Sequence, residues 1–305
     1  MKYTGAFWHI FAVSAILCFS CACGGCMEAG EPENSSRLVV SVTLAAQEEL
    51  VRSVGGDRVD VVVLLPGYAD PHSFEPQASQ MVNVSRSDLY FRIGEGLLPF
   101  EDRVVSRLGG VSRDLLVVDT SEGIELISDT EGGEADPHIW LSLRNAGMMV
   151  DTICEALVSR DPSGSEYYSA NRDAYRARLE SLDKEMTNDF SDVRTRVFIV
   201  MHPAWGYFAR DYNLTQLYIQ AGGKEATAQD LEDIIAVARA EKIHTIFVEP
   251  QFSTRGAEMV AGEIGGRVEV LDPMAPGYLA NMELVGEKIR DRKSTRLNSS
   301  HRIRS

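Results

Sequence analysis

Between Ser165 and Asp189 the chain has no run of β-branched residues, whereas both flanks are rich in them. Within this stretch Tyr168, Tyr175, Leu179, Leu182 and Met186 recur at steps of 7, 4, 3 and 4, which is helical spacing. Asp161-Pro162-Ser163-Gly164 breaks the chain just before it. The spacing predicts one helix of about 25 residues, roughly 37 Å long at the standard rise. Candidate strands before it are Leu38–Val42, Val59–Leu65, Leu89–Ile93 and Leu115–Val118. Those after it are Val197–Met201, Gln216–Ile219, Thr245–Val248 and Val268–Leu271. Amphipathic stretches lie between, such as the stripe Leu231, Ile234, Ile235, Ala238. Strands alternating with helices make mostly parallel sheets with right-handed crossovers. The expected fold is α/β, with an N-terminal lobe over 37–164, a linking helix over 165–190 and a C-terminal lobe over 191–290.

The two ends do not belong to this pattern. Lys2 is followed by an apolar run, Phe7 to Phe19, and then by small residues and cysteines. A charged start, a short apolar core and a small-residue end read as a secretion signal over 1–26. The run is short for a membrane span, which needs about 20 apolar residues. Four of the five cysteines (Cys18, Cys21, Cys23, Cys26) close this segment, which leaves only Cys154 and so no disulfide framework. Cys21, Cys23 and Cys26 each follow a small residue and are candidates for the lipidated N-terminus of a prokaryotic lipoprotein. Residues 27–36, MEAGEPENSS, form a polar tether. At the other end, 291–305 turns abruptly basic without a core-forming pattern and resembles a translated sequencing adapter. Between the ends, residues 27–290 carry 24 basic and 44 acidic residues, a net charge of −20. Such a surface repels nucleic acid and anionic lipid and is compatible with a cationic ligand.

Six histidines occur. His9 lies in the signal, His301 in the tail, and His244 precedes an apolar strand as a structural residue. The other three share a context. His72 sits in Asp70-Pro71-His72-Ser73-Phe74-Glu75-Pro76, His138 in Asp136-Pro137-His138-Ile139-Trp140, and His202 in Met201-His202-Pro203-Ala204-Trp205. All three are in loops after strands, where open α/β sheets collect ligands. Each is flanked by a proline that stiffens the backbone. Asp272, after Val268–Leu271, shares the placement. Three imidazoles and a carboxylate suit a divalent ion, Zn²⁺ first, at about 2.0–2.2 Å in a tetrahedron. The spacings of 66, 64 and 70 residues form no local motif, so the residues alone leave open a metal site or separate loop histidines.

Longer words add to this reading: Leu65-Pro66-Gly67, the Asp70–Pro76 segment, Asp136-Pro137-His138-Ile139-Trp140-Leu141-Ser142, His202-Pro203-Ala204-Trp205-Gly206-Tyr207-Phe208 and Ile246-Phe247-Val248-Glu249-Pro250-Gln251-Phe252-Ser253. In these words the chain, from Arg37 to about Arg290, resembles the zinc and manganese solute-binding proteins of ABC importers, the cluster A-I family. The resemblance implies two α/β lobes joined by one long helix, with the metal in the cleft. Carried over by motif, the ligands are His72 and His138 from the first lobe, and His202 and Asp272 from the second. Manganese-type members have glutamate where this chain has His202. Nitrogen donors suit zinc and oxygen donors suit manganese, so Zn²⁺ is expected and Mn²⁺ is the alternative. One departure is the segment Ser128–Ala135, short and acidic where many zinc members carry a histidine-rich loop. Glu249, Asp70 and Asp136 are candidates for orienting the ligand imidazoles. Trp140, Trp205 and Tyr207 read as cleft walls and core.

The expected activity is capture rather than catalysis: a lipid-anchored, extracytoplasmic monomer takes up a divalent cation and delivers it to an ABC permease. Binding is expected to weaken below about pH 6, as protons compete for the imidazoles. A zinc hydrolase is the enzymatic rival, since three histidines and an open position form a catalytic pattern. No HExxH, GxSxG, P-loop or GxGxxG motif supports it. A surface adhesin, which needs no converging histidines, is the other alternative.

Overall fold

All eight strand runs form, each within two residues of its expected ends. They belong to a computed structural model that describes residues 37–109, 114–128, 135–221 and 224–291. The signal, the tether, Cys21, Cys23, Cys26, His9, His301 and the basic tail lie outside the described residues, as does 129–134 of the acidic segment. The chain divides into units Met1–Ser35 and Ser36–Ser305, and the described residues belong to the second. Among them no helix is long and apolar enough to cross a membrane.

The first half runs β1 (Leu38–Val42), α1 (Ala45–Gly55), β2 (Val59–Val63), α2 (Ala78–Ser85), β3 (Leu89–Arg92), α3 (Pro99–Leu108), β4 (Leu116–Asp119) and α4 (Leu143–Arg160). Its strands pair in parallel in the order β2-β1-β3-β4, with Val40 opposite Val61 and Leu89. Helix α5 (Ser165–Ser191) follows at 27 residues, about 40 Å. The second half runs β5 (Val197–Val200), α6 (Gly206–Asp211), β6 (Thr215–Tyr218), the short strands β7 (Gln220–Ala221) and β8 (Lys224–Glu225), α7 (Ala228–Glu241), β9 (Thr245–Val248), α8 (Arg255–Glu263), β10 (Arg267–Val270) and α9 (Tyr278–Arg290). Its main sheet is also parallel, in the order β10-β9-β5-β6. The antiparallel β7–β8 pair was not expected from sequence.

Parallel strands covered by helices on both faces read as unbroken apolar runs, as LVVSV and TIFV do. Side chains alternate across a strand, and β5 uses the alternation to serve two cores. Phe198 and Val200 join a core continuous with the first sheet. Ile199 and Met201 join a second core against α7, α8 and β9. The shared core also takes Tyr168, Tyr175, Leu179 and Met186 from α5, as the helical spacing anticipated, with Leu182 only partly buried against it; Phe190 from α5 and Met282, Val285 and Ile289 from α9 join them. The last helix therefore packs back against α5 and α1.

Candidate metal centre

His72, His138 and His202 offer nitrogens that all lie within 4.8 Å of one another. The Nε2 atoms of His72 and His202 are 3.2 Å apart, and those of His202 and His138 are 3.4 Å apart. The ring centroids form a near-equilateral triangle with sides of 5.4, 5.0 and 5.2 Å. A tetrahedral ion with metal–nitrogen distances of about 2.0–2.1 Å has donor–donor edges of about 3.3 Å. Both Nε2 separations match that edge.

Each histidine reaches this point by different local chemistry. The first sheet's ladder continues past β2, with the Leu64 and Leu65 N–H groups bonded to the carbonyls of Val42 and Thr43. A turn over Pro66–Ala69 follows, closed by the Ala69 N–H on the Pro66 carbonyl. Asp70 then caps the next turn: Oδ1 accepts the His72 N–H at 2.9 Å and Oδ2 accepts the Ser73 hydroxyl at 2.8 Å. Asp70 thus shapes the backbone under His72 and does not touch its ring. His72 is the most exposed of the three.

Asp136 does more. Its Oδ1 accepts the His138 backbone N–H at 2.9 Å and also lies 2.7 Å from Nδ1 of the same residue. A carboxylate holding Nδ1–H leaves a lone pair on Nε2, aimed at the trio. Both side chains are buried. The segment is braced from the second half, where the Tyr207 hydroxyl donates to the Asp136 carbonyl at 2.9 Å and accepts from the Ile127 N–H. Gly206 makes room, since a Cβ there would lie 2.6 Å from Asp136 Oδ2. The ends of the acidic segment, Ser128 and Ala135, form an antiparallel bridge.

His202 follows β5 directly. Phe252 stacks on its ring at 4.8 Å between centroids. Burial and the neighbouring imidazoles of His138 and His72 pull its pKa down to about 2. His72 falls to about 4, through desolvation by the cleft walls and then His138. Both rings are therefore neutral at pH 7, the form that binds metal. Glu249 follows β9 directly and is buried, and that burial pushes its pKa up to about 8. Its neighbours are the backbone at His202 and Glu249 and the Trp205 indole, none in ordinary hydrogen-bond geometry among the described residues.

Asp272 stands apart from the trio, outside the set of donors within 4.8 Å of one another. Its Oδ1 accepts the Met274 N–H at 2.9 Å and lies 3.5 Å from Gln251 Nε2. Trp140 walls the cleft, its indole donating to the Pro273 carbonyl at 2.7 Å. The space between the imidazoles, Trp140, Phe252 and Met274 is about 10 Å³, room for one water-sized body and too small for an organic ligand.

A nitrogen-rich trio around a space of this size points to a bare cation. The model of the family described as the periplasmic component A of the zinc-uptake complex, ZnuA, matches residues 40–291. The chain belongs to this family. A putative metal-binding protein of Treponema pallidum is 33% identical over 259 residues, 79% of this chain and 81% of that one. The high-affinity zinc uptake system protein ZnuA of Bacillus subtilis is 28% identical over 281 residues, 87% and 88% of the two chains. The crystal structure of a ZnuA deletion mutant with zinc bound superposes with a TM-score of 0.80 at 36% identity, covering 86% of this chain and all of that one. Other relatives are named as manganese and iron transporter lipoproteins. The family is one of transport components and not of enzymes, so the hydrolase alternative falls.

Two neighbours of the trio, Gln251 and Phe252, were not singled out from sequence. Their signal was the word Glu249-Pro250-Gln251-Phe252, which follows a strand just as the histidines do.

Proposed function

We propose that this protein captures a divalent cation outside the cytoplasm, zinc before manganese, and hands it to the permease of an ABC importer. The observation that supports this most is the pair of Nε2 separations at the edge length of a tetrahedral zinc site. The His72 and His202 imidazoles, neutral at pH 7, replace water around the ion without first shedding protons. His72, His138 and His202 supply three donors. Asp272 is the fourth ligand in this reading, turning from the Met274 N–H to the ion. Asp136 holds His138 in its binding tautomer, Asp70 shapes the turn under His72, and Glu249 supports the backbone at His202. The lobes are 37–164 and 191–290 on the linking helix 165–190, and a lipid on Cys21, Cys23 or Cys26 anchors a monomer to the membrane.

Metal titration with elemental analysis tests the reading. One Zn²⁺ per chain, bound more tightly than Mn²⁺, is expected, with affinity lowered in Asp272→Ala. Equal stoichiometry and affinity in wild type, His72→Ala and His202→Ala would sink it and leave the adhesin alternative.

A further inference from the structure

Gln251 bridges the two halves of the molecule at the mouth of the histidine trio. It sits in the turn after β9, closed by the Phe252 N–H on the Glu249 carbonyl at 3.2 Å. This turn sends two consecutive side chains into the cleft. Phe252 stacks on His202. Gln251 crosses to the first half, where its Nε2 donates to the Gly67 carbonyl at 2.8 Å. Gly67 lies in the Pro66–Ala69 turn, five residues before His72. The same Nε2 lies 3.5 Å from Asp272 Oδ1. A carboxamide nitrogen carries two protons, so one side chain serves both acceptors. Gln251 also lines the pocket that the three imidazoles form.

This placement couples three things: the loop that carries His72, the turn that presses on His202, and the carboxylate of Asp272. We infer that Gln251 is a positioning residue that sets the rate of cation release, by clasping the His72 loop to the second half over the bound ion. The inference rests on the trio being the cation site. With the clasp made, an ion cannot leave without His72 moving against a hydrogen bond anchored in the opposite sheet. With it broken, the His72 loop keeps only bonds within the first half, its own turn bonds and the contacts of Phe74 and Glu75 with α3, and the ion escapes past its most exposed ligand. Entry is little affected, because the clasp closes behind the ion.

The test is release of Zn²⁺ from the full chain to an excess of a chromogenic chelator, followed by stopped flow. Wild type, Gln251→Ala and Gln251→Leu are compared, the leucine retaining the volume without the donors. Dissociation about tenfold faster in both variants is expected, the worth of one or two net hydrogen bonds. Association rates within twofold and unchanged melting of the metal-free proteins are expected alongside. Dissociation within twofold of wild type in both variants would overturn the inference while leaving the cation site intact. So would acceleration in the alanine variant alone, which would mark Gln251 as packing. A lowered metal-free melting temperature with both rates altered would also overturn it. A wild type that binds no zinc would bring down the reading of the site, and this inference with it.

Discussion

The two sheets share one strand order and use it differently. Read from the opposite edge, β6-β5-β9-β10 repeats β2-β1-β3-β4. In each the connections diverge between the first and third strands, which opens a crevice at their carboxyl ends. In the second sheet that crevice, between β5 and β9, receives His202, Glu249 and Phe252. In the first sheet the matching crevice, between β1 and β3, is plugged. Glu101 of α3 accepts the N–H groups of Ile93 and Gly94 at 2.8 and 3.3 Å, along with the Thr43 hydroxyl. Its carboxyl is wholly buried. The first half instead delivers its histidines from loops after its edge strands, β2 and β4. Topology creates two equivalent crevices, and a side chain that satisfies the strand-end donors decides which one stays available for a ligand.

The largest effect should come from removing one key residue from each crevice. His202→Ala should weaken zinc binding by more than about 100-fold, beyond the usual loss from an outer partner, with little change in melting. Glu101→Ala should do the reverse. It strands two buried backbone donors, leaves the Thr43 hydroxyl with Tyr90 alone, and should cost about 3 kcal/mol of stability, while zinc stoichiometry stays at wild type. Calorimetric titration with thermal melting of both variants reads the contrast, and a loss of zinc binding in Glu101→Ala would break it.

A smaller difference separates the two Asp-Pro-His segments. Asp136→Asn should lower zinc affinity about 10–100-fold, because the Nδ1 acceptor of a ligand imidazole is weakened. Asp70→Asn, which alters only a turn cap, should change affinity a few-fold. Equal losses in competition titrations would mean that Asp70 orients its histidine as directly as Asp136 does.

The smallest effect is opposite pH dependence in the two crevices. Burial raises Glu101 from 4.5 to about 7. The folded carboxyl thus keeps a proton that the unfolded one releases. That stabilisation is complete below 4.5 and is lost as pH rises through 7. His72 and His202 are lowered from 6.5 to about 4 and about 2. Their contribution is present above 6.5 and is lost as pH falls through about 4 for His72 and about 2 for His202. Melting of the metal-free protein should show Glu101→Gln gaining on wild type between pH 4.5 and 7, and His202→Ala losing less than wild type on acidification. Zinc affinity should fall as pH drops through about 4, where the His72 ring takes a proton.

The strands and the long helix were legible because they rest on local periodicity. LVVSV and TIFV read as buried strands, and Tyr168 to Met186 as a helix stripe, without reference to the rest of the chain. The histidines were legible as a set because each stands beside a proline after a strand. Other features depend on which strand ends meet, and no spacing encodes that. The Gln251 bond to Gly67 joins residues 184 apart. The position of Asp272 outside the trio follows from a backbone bond to Met274 that its Leu-Asp-Pro context does not announce. The plug at Glu101 was invisible because an acid in the first turn of a helix reads as an ordinary exposed residue.

The core shared by β1, α5, β5 and α9 has a mechanical corollary. Spreading the halves like jaws would wet Leu179, Met186, Phe190, Phe198 and Met282 together, at roughly 1.5–3 kcal/mol for each large side chain. A gape would therefore cost a free energy comparable with the whole binding energy of a tightly held Zn²⁺, about 10–16 kcal/mol. Motion of the rim loops leaves that shared core closed and is the less costly way to open the groove.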